Sequence, residues 1–327
     1  MRRLVTVSLL LVACVAKALT LDYVGDVDRP DEPASLSSLA FVSNNVFWSA
    51  TDWKPALYEL RVESDANGSP TSVVCKLKCN LEGATDVEGL ARDPLRGTVW
   101  AADERAMSVC EFDPDTGRRL EPVAMPPVFA KFRRDYGLES LCISHDGLEM
   151  WIANEEALKC DGPVSSPKNG TRVRLARFVR KDGKDKWHAA EQFVYDADGM
   201  TGAALRKGCR SGLSGLCVLE DGTLLALERE FSFSLFPRIC CRIYAIDRVG
   251  ATDVSAFDAL EAASFVPVKK KSLYAANTGF SMYEGIAAGP VGADGSRPVY
   301  LVTDGDRKML KKLMALRLSA NRDNVVR

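Results

Sequence analysis

Much of the usual equipment of catalysis is missing from these 327 residues. Only two histidines are present, His145 in a turn-forming stretch and His188 beside a lysine-rich one, so a Ser-His-Asp triad is not expected. Gly212-Leu-Ser-Gly-Leu216 is not the G-x-S-x-G of a nucleophile elbow. Neither a G-x-x-x-x-G-K-[ST] loop nor a dinucleotide fingerprint occurs, which excludes the common loops that cradle phosphate. No two cysteines have C-x-x-C spacing, which argues against a zinc ribbon. Neither sign of charge is in surplus. Lys and Arg number 43 and Asp and Glu 44, for a net charge of -1, so no global field draws nucleic acid or a membrane surface. The basic runs Lys269-Lys-Lys271 and Arg307-Lys308 with Lys311-Lys312 read as solvated faces.

The N-terminus stands apart. Arg2-Arg3 precedes an apolar run from Leu4 to Val15, and Ala16-Lys-Ala18 offers an A-x-A cleavage site. The run is too short to span a bilayer. The expectation is a signal peptide over 1–18, export, and a secreted soluble chain from 19 to 327. Cys14 leaves with the leader, so nine of the ten cysteines remain, an odd number. Two sequons, Asn67-Gly-Ser69 and Asn169-Gly-Thr171, lie in polar loops and would carry glycan in a eukaryotic host.

What is present is a sentence written five times. Glu88-Gly-Leu-Ala91 leads through the turn Asp93-Pro-Leu-Arg-Gly97 to Val99-Trp-Ala-Ala102, which ends on Asp103 and Glu104. Parallel copies begin at Ser37, Glu139, Ser214 and Glu284, and their second strands end at Asp52, Glu155, Glu228 and Asp304. The intervals between the five starts are 51, 51, 75 and 70 residues. Strand pairs recurring at this period are the mark of propeller blades. The predicted fold is all-β, a single propeller of four-stranded antiparallel blades. Five blade starts are visible, and the long third and fourth intervals leave room for a degenerate sixth. Leu21 to Val27 alternates, and the fourth place in the last blade is free for it. The Ala157–Gly170 and 199–211 stretches read as insertions, Phe231–Phe236 as an aromatic loop, and Asp253–Ala263 as a short helix.

Cys142 and Cys217 occupy the repeat position that is Ala40, Ala91 and Ala287 elsewhere, which makes them small buried residues and free thiols. Among the others, Cys160 with Cys209, and Cys110 with Cys75 or Cys79, are plausible bridges, and the pairing stays open.

The innermost strand of each blade faces the central channel, so the first residues of the copies converge near one mouth. Glu88, Glu139 and Glu284 are the candidate catalytic residues there, with Ser37 and Ser214 between them. Carboxylates crowded together repel one another unless something neutralises them. An oxygen-only set favours Ca²⁺ or Mg²⁺ over softer metals. Glu88, Glu139, Glu284 and Asp304 are the candidate ligands, with Ca²⁺ the expected ion, which would activate water or polarise an ester. Arg105 and Arg229, each following a strand-end acid, are candidates for binding an anionic substrate. Against this stands the plainer account, in which repeat-position acids hold backbone amides at blade corners and the arginines pair with their acidic neighbours.

The phrases Asp86-Val-Glu-Gly-Leu-Ala-Arg-Asp-Pro94, Trp100-Ala-Ala-Asp-Glu104, Gly137-Leu-Glu-Ser-Leu141 and Leu225-Ala-Leu-Glu-Arg-Glu-Phe-Ser232 resemble the phytase-like domain family, described by its "esterase-like activity of phytase". The resemblance runs over nearly all of the chain beyond the leader. It implies a secreted or periplasmic propeller and the hydrolysis of small esters or phosphoesters. Ser38 and Ser140 replace the motif glycine, and Glu230 stands where the motif has Asp. The D-A-D-D-P-A run of calcium-dependent propeller phytases is absent; Tyr195-Asp-Ala-Asp-Gly199 is a faint echo. A monomeric, metal-assisted hydrolase of phosphate or carboxylic esters is the leading reading. A non-catalytic propeller that binds a ligand or protein through its mouth and loops is the alternative. A lactonase-like arrangement, marked by Asn154 and Asp304, is a weaker third.

Overall fold

The computed structural model describes residues 19–30, 32, 33, 35–305 and 311–320. The leader, its cleavage site, Arg307 and Lys308 lie outside them. Five four-stranded antiparallel sheets stand in a ring, a five-blade propeller. Blade one holds β2 (Ala40–Ser43), β3 (Val46–Ala50), β4 (Ala56–Ser64) and β5 (Pro70–Asn80). Blade two holds β6 (Val87–Arg92), β7 (Val99–Asp103), β8 (Ser108–Phe112) and β9 (Arg119–Pro122). Blade three holds β10 (Leu138–Ile143), β11 (Glu149–Asn154), β12 (Thr171–Val179) and β13 (His188–Ala197). Blade four holds β14 (Arg210–Val218), β15 (Leu224–Phe233), β16 (Pro237–Asp247) and β17 (Lys269–Gly279). Blade five holds β18 (Met282–Ala288), β19 (Arg297–Asp304) and β20 (Lys312–Ala320), and its outer place is taken by β1 (Leu19–Asp28). That last pairing, with Leu21 opposite Leu318 and Val27 opposite Leu313, joins the two ends of the described chain and closes the ring.

Alternation explains why the blades stack. Each strand sends successive side chains to opposite faces, and each blade must bury both faces against its neighbours. Five apolar clusters result, one per interface. Trp100, Leu138 and Phe178 sit between blades two and three, for example, and Leu227, Ile286 and Leu316 between four and five. Truncating any of these large buried side chains to Ala costs about 2–5 kcal/mol.

Polar clamps complete the interfaces. Asp93, in the D-P turn of the family motif, accepts Leu95 N–H (2.9 Å), Arg96 N–H (3.1 Å) and Trp100 Nε1–H (3.2 Å). It also takes both terminal nitrogens of Arg180 from blade three at 2.7 Å. Both members of this pair are fully buried, and Arg180 lies 4.2 Å from the Trp187 ring.

Three expectations change. The 70- and 75-residue intervals hide no sixth blade; they hold the loops around β12 and β13, and the crossing from β16 to β17. Phe231 and Phe233 belong to β15 rather than to a loop. Asp253–Ala263 is irregular rather than helical. Its own backbone makes only isolated turn bonds, Phe257 N–H to Val254 O and Ala263 N–H to Leu260 O, and the rest is held sideways: Arg174 donates to Val254 O and Phe257 O, and Asp161 accepts Leu260 N–H. Val254 and Leu260 then bury against Val194 of β13.

The nine cysteines are free thiols, so none of the suggested bridges is made. Cys110 instead accepts Arg119 Nη2 at 2.7 Å, and Cys79 faces Pro114 O at 3.5 Å. Cys142 and Cys217 are buried, as their repeat position requires. Burial pushes the Cys217 thiol up to about 11, so it stays protonated and inert at neutral pH.

Candidate functional site

A β-bulge marks the start of four of the five innermost strands. The register slips between Val87 and Gly89, Leu138 and Ser140, Leu213 and Gly215, and Tyr283 and Gly285. The residues skipped are Glu88, Glu139, Ser214 and Glu284. A bulged residue has no partner opposite it, and its side chain is re-aimed. The polar residue that recurs in the sequence is thus the one the backbone turns out of the ladder. With Ser37 of blade one they line a narrow space at the channel axis. The two serines make backbone contacts there. Ser37 Oγ donates to Val87 O (2.5 Å), and Ser214 Oγ donates to Leu227 O (3.3 Å).

The ends of the second strands reach the same mouth. Glu104 and Glu155 follow β7 and β11, and each is anchored by its own backbone. Glu104 N–H donates to Asp86 O (2.8 Å), and Glu155 N–H donates to Gly137 O (2.9 Å). Close packing here demands glycine. A Cβ on Gly137 would lie 2.7 Å from Glu104 Cγ, and one on Gly212 would lie 2.8 Å from Glu155 Cγ. The result is a cluster of Glu104, Glu139 and Glu155, each offering one carboxylate oxygen within 4.8 Å of the other two. Glu155 is fully buried and Glu139 nearly so. Glu139 Oε2 and Glu155 Oε2 are buried without any hydrogen-bond partner.

Two arginines offset part of this charge. Arg229 bridges Glu155 and Glu284, and its Nη1 also lies 3.2 Å from Met282 Sδ. Arg210 Nε is 3.2 Å from Glu155 Oε1. Five carboxyls therefore face two guanidiniums, and the surplus appears as proton affinity. Burial pushes the Glu139 carboxyl well above its ordinary range, and Glu155 and Glu104 add to the rise while Arg229 and Arg210 oppose it. Glu88 is raised likewise, by burial first and then by Glu139 and Asp304. Burial also raises Glu104. Glu156, just outside the cluster, is raised to about 7 by burial, against the Ser165 N–H bond.

Of the residues expected from sequence, Glu139 lies at the centre of the cluster. Glu88 stands on the same ring within electrostatic reach, Glu284 is held by Arg229, and Asp304 lies near enough to act on Glu88. Arg105 pairs with Asp86 at 2.8 Å and is largely exposed. It lines a cleft with Asp86, Glu104, Phe132, Arg134, Asp135 and Lys159 at the edge of the mouth. Arg210 was not anticipated at all. Glu104 and Glu155 were visible only as strand-end acids of the repeat; their recurrence one residue past Asp103 and Asn154 was the available signal. Asn154 is fully buried and turned to the backbone, with Nδ2 donating to Glu156 O (2.5 Å) and Oδ1 accepting Arg174 N–H (3.1 Å).

The remaining motif acids are engaged elsewhere. Glu228 accepts Tyr195 OH (2.7 Å), Lys270 Nζ (2.7 Å) and Asp198 N–H (3.1 Å). Glu230 accepts Thr201 N–H (2.9 Å), Gly202 N–H (3.0 Å), Ser232 Oγ (2.9 Å) and Arg242. Glu230 holds the 199–211 insertion onto blade four, and Glu228 ties β15 to Tyr195 and Asp198 of blade three and its exit and to Lys270 of β17. The far end of the channel differs in kind. It is a funnel lined by Leu39, Leu90, Leu141, Leu216 and Ile286, with Arg92, His145 and Arg297 toward its rim.

A family model described as phytase-like, esterase-like activity of phytase, matches residues 33–307. No curated protein matches. Among solved structures, hydrazine synthase of Kuenenia stuttgartiensis is 12% identical at a TM-score of 0.36, over 84% of this chain and 57% of that one. The tail fiber of Staphylococcus aureus phage P68 is 10% identical at a TM-score of 0.44, over 93% and 53%. The chain thus spans little more than half the length of either. The periplasmic gluconolactonase PpgL of Pseudomonas aeruginosa is 14% identical at a TM-score of 0.35, over 84% and 70%. At such identities and TM-scores none of the three bears on the chemistry of this chain.

Proposed function

This chain belongs to the phytase-like family, and from that premise we propose that its acidic mouth hydrolyses a small phosphate or carboxylic ester with the help of a divalent cation. The observation that carries this reading is the set of unsatisfied oxygens, Glu139 Oε2 and Glu155 Oε2, beside Glu104. A buried polar atom without a partner is costly, and native structures leave few of them. An all-carboxylate donor set with two orphaned oxygens fits a hard cation, and Ca²⁺ suits it best. Glu104, Glu139 and Glu155 would hold it, with Glu88 on the same ring. The cation would polarise the ester and lower the pKa of a bound water.

The chain's own residues do the rest. Arg229 fixes Glu155 and Glu284 in place, and Arg210 braces Glu155 from the other side. Glu88, with its raised affinity for protons, is the group suited to take a proton from water or return one to the leaving oxygen. Arg105, Arg134 and Lys159 line the adjoining cleft together with Asp86, Glu104 and Asp135, and Arg105 is the residue proposed to meet an anionic substrate there. We further propose that the protein acts as an exported monomer, released from the 1–18 leader. Both sequon asparagines, Asn67 and Asn169, are exposed and open to glycan.

Thermal unfolding with millimolar Ca²⁺ and with a chelator is the test, run beside turnover of 4-nitrophenyl phosphate and 4-nitrophenyl acetate. A site specific to the folded form adds about 2.7 kcal/mol at a hundredfold excess of ligand over Kd. The wild type should show a stabilisation that Glu139→Gln abolishes, with turnover that needs the ion. No shift and no turnover of either ester would overturn the reading in favour of a binding module, in which Arg229 neutralises the acids outright.

A further inference from the structure

Blade four is taller than its neighbours. β15 and β16 run for 10 and 11 residues, where the corresponding strands have 6 and 9 in blade three and 8 and 9 in blade five. Arg229 of β15 stands at the acidic mouth, so the ribbon continues to Leu235 for roughly 20 Å more at about 3.3 Å per residue. Its tip is apolar and exposed: Leu235 at 85% and Phe236 at 77%. Leu205, 72% exposed, lies beside it, because Leu205 N–H donates to Phe233 O (3.0 Å) and Phe233 N–H donates to Ala203 O (2.8 Å). Phe280, 58% exposed, follows Gly279, which pairs with Ile239 at the base of the same ribbon. The platform is firmly held, since Glu230 ties Thr201 and Gly202 to blade four.

Charge around this tip is one-sided. The three segments that build it, residues 199–211, 231–239 and 277–282, contain Arg206, Lys207, Arg210 and Arg238 and not one acid, in a chain whose charges otherwise balance. Arg210 is committed to Glu155. The Arg206 guanidinium lies over the Phe233 ring, 4.0 Å from its centroid, and Arg238 Nε reaches Cys240 Sγ at 3.3 Å. Arg206, Lys207 and Arg238 are exposed and, among the described residues, form no ion pair.

We propose that this ribbon is a docking arm for an anionic lipid surface. Leu235 and Phe236 enter the boundary between headgroups and acyl chains, and Leu205 and Phe280 flank them. Arg206, Lys207 and Arg238 meet the acidic headgroups. Apolar side chains at a projecting tip, ringed by cations, match the chemistry of a membrane interface. A balanced total charge gives the chain no pull toward a membrane at long range, and the attraction is local to this tip. The arm rises from the face that carries the acidic mouth, so docking would bring that mouth to the lipid. The inference does not depend on what reaction the mouth performs.

Sedimentation of the full-length protein, with its leader removed, tests the arm. The probes are phosphatidylcholine vesicles with and without about one third phosphatidylserine. The wild type should pellet with the anionic vesicles and stay in solution with the neutral ones, and raised salt should release it. The double change Leu235→Asp and Phe236→Asp lies wholly in an exposed turn and should weaken binding tenfold or more. Arg206→Ser with Lys207→Ser should weaken it about fivefold per charge removed. Thermal unfolding of each variant checks that it is folded. No binding to the anionic vesicles, or binding that none of these changes alters, overturns the proposal. So does a concentration-dependent dimer, seen without lipid and lost in Leu235→Asp/Phe236→Asp, because the tip would then be covered by a second copy of the chain.

Discussion

Two sets of buried acids in this propeller, drawn from the family phrases and the repeat's strand ends, behave oppositely. Glu230 in blade four, and Asp93 in the turn of blade two, have their carboxylate oxygens filled by arginines and backbone N–H groups. Glu139 and Glu155 at the mouth each keep an oxygen that is buried and empty. The carboxylate chemistry and the burial are shared. What separates a structural acid from a candidate ligand is the hydrogen-bond account of each oxygen, and of these four it is Glu139 and Glu155 that run a deficit. The titration behaviour agrees. Burial pushes the Asp93 carboxyl up, but Arg180 and the N–H groups of Arg96 and Leu95 hold it below 3.8. At Glu139 burial is reinforced by Glu155 and Glu104, and the carboxyl stays high.

The contrast breaks most clearly if Asp93 is removed. Asp93→Ala strands Arg180 without a counter-charge in the interface between blades two and three, which should cost about 3–5 kcal/mol in urea unfolding. A loss under about 1 kcal/mol would mean that the clamp is not structural. The next effect is opposite in sign. A carboxyl whose folded pKa is raised makes the metal-free protein lose stability as pH climbs from the ordinary 4.5 toward that folded value. Asp93 acts the other way, since its stabilisation is present above 3.8 and fades as pH falls through its lowered folded value. Glu139→Gln should therefore stabilise the chelated protein at pH 7 by about 1 kcal/mol or more, since each pKa unit is worth about 1.4 kcal/mol. The gain should vanish below pH 4. Melting curves across pH in chelator, wild type against variant, measure both. The smallest expected effect on stability is at the rim. Arg105→Ala removes a largely exposed pair with Asp86 and should change stability by less than about 0.5 kcal/mol. If the cleft receives an anionic ester, KM should nonetheless rise several-fold with kcat little changed.

Much of the architecture could be read directly. The five blade starts, the D-P turn at Asp93 and the vacancy that β1 fills are local or periodic features, and strand alternation makes them visible in one dimension. The Asp253–Ala263 segment shows where local reading failed. An alanine-rich stretch with helical composition was captured by Arg174 and Asp161, side chains roughly 80 and 100 positions away, and no propensity within the segment reports that. The site was legible by halves. Glu139 was singled out from the repeat, whereas the assembly of Glu104 and Glu155 around it, and the arrival of Arg210, join blades two, three and four.

The sequence by itself determined the period, the blade count that is visible and the residue that stands first in each copy, because a two-residue alternation and a turn signal are properties of neighbours along the chain. Tertiary structure decided which of those acids are satisfied and which are not. That depends on bulges that rotate Glu88, Glu139 and Glu284 out of the ladder, on glycines at 137 and 212 that let backbones and carboxylates close up, and on arginines delivered from other blades. Contacts of this kind are fixed only when the ring closes.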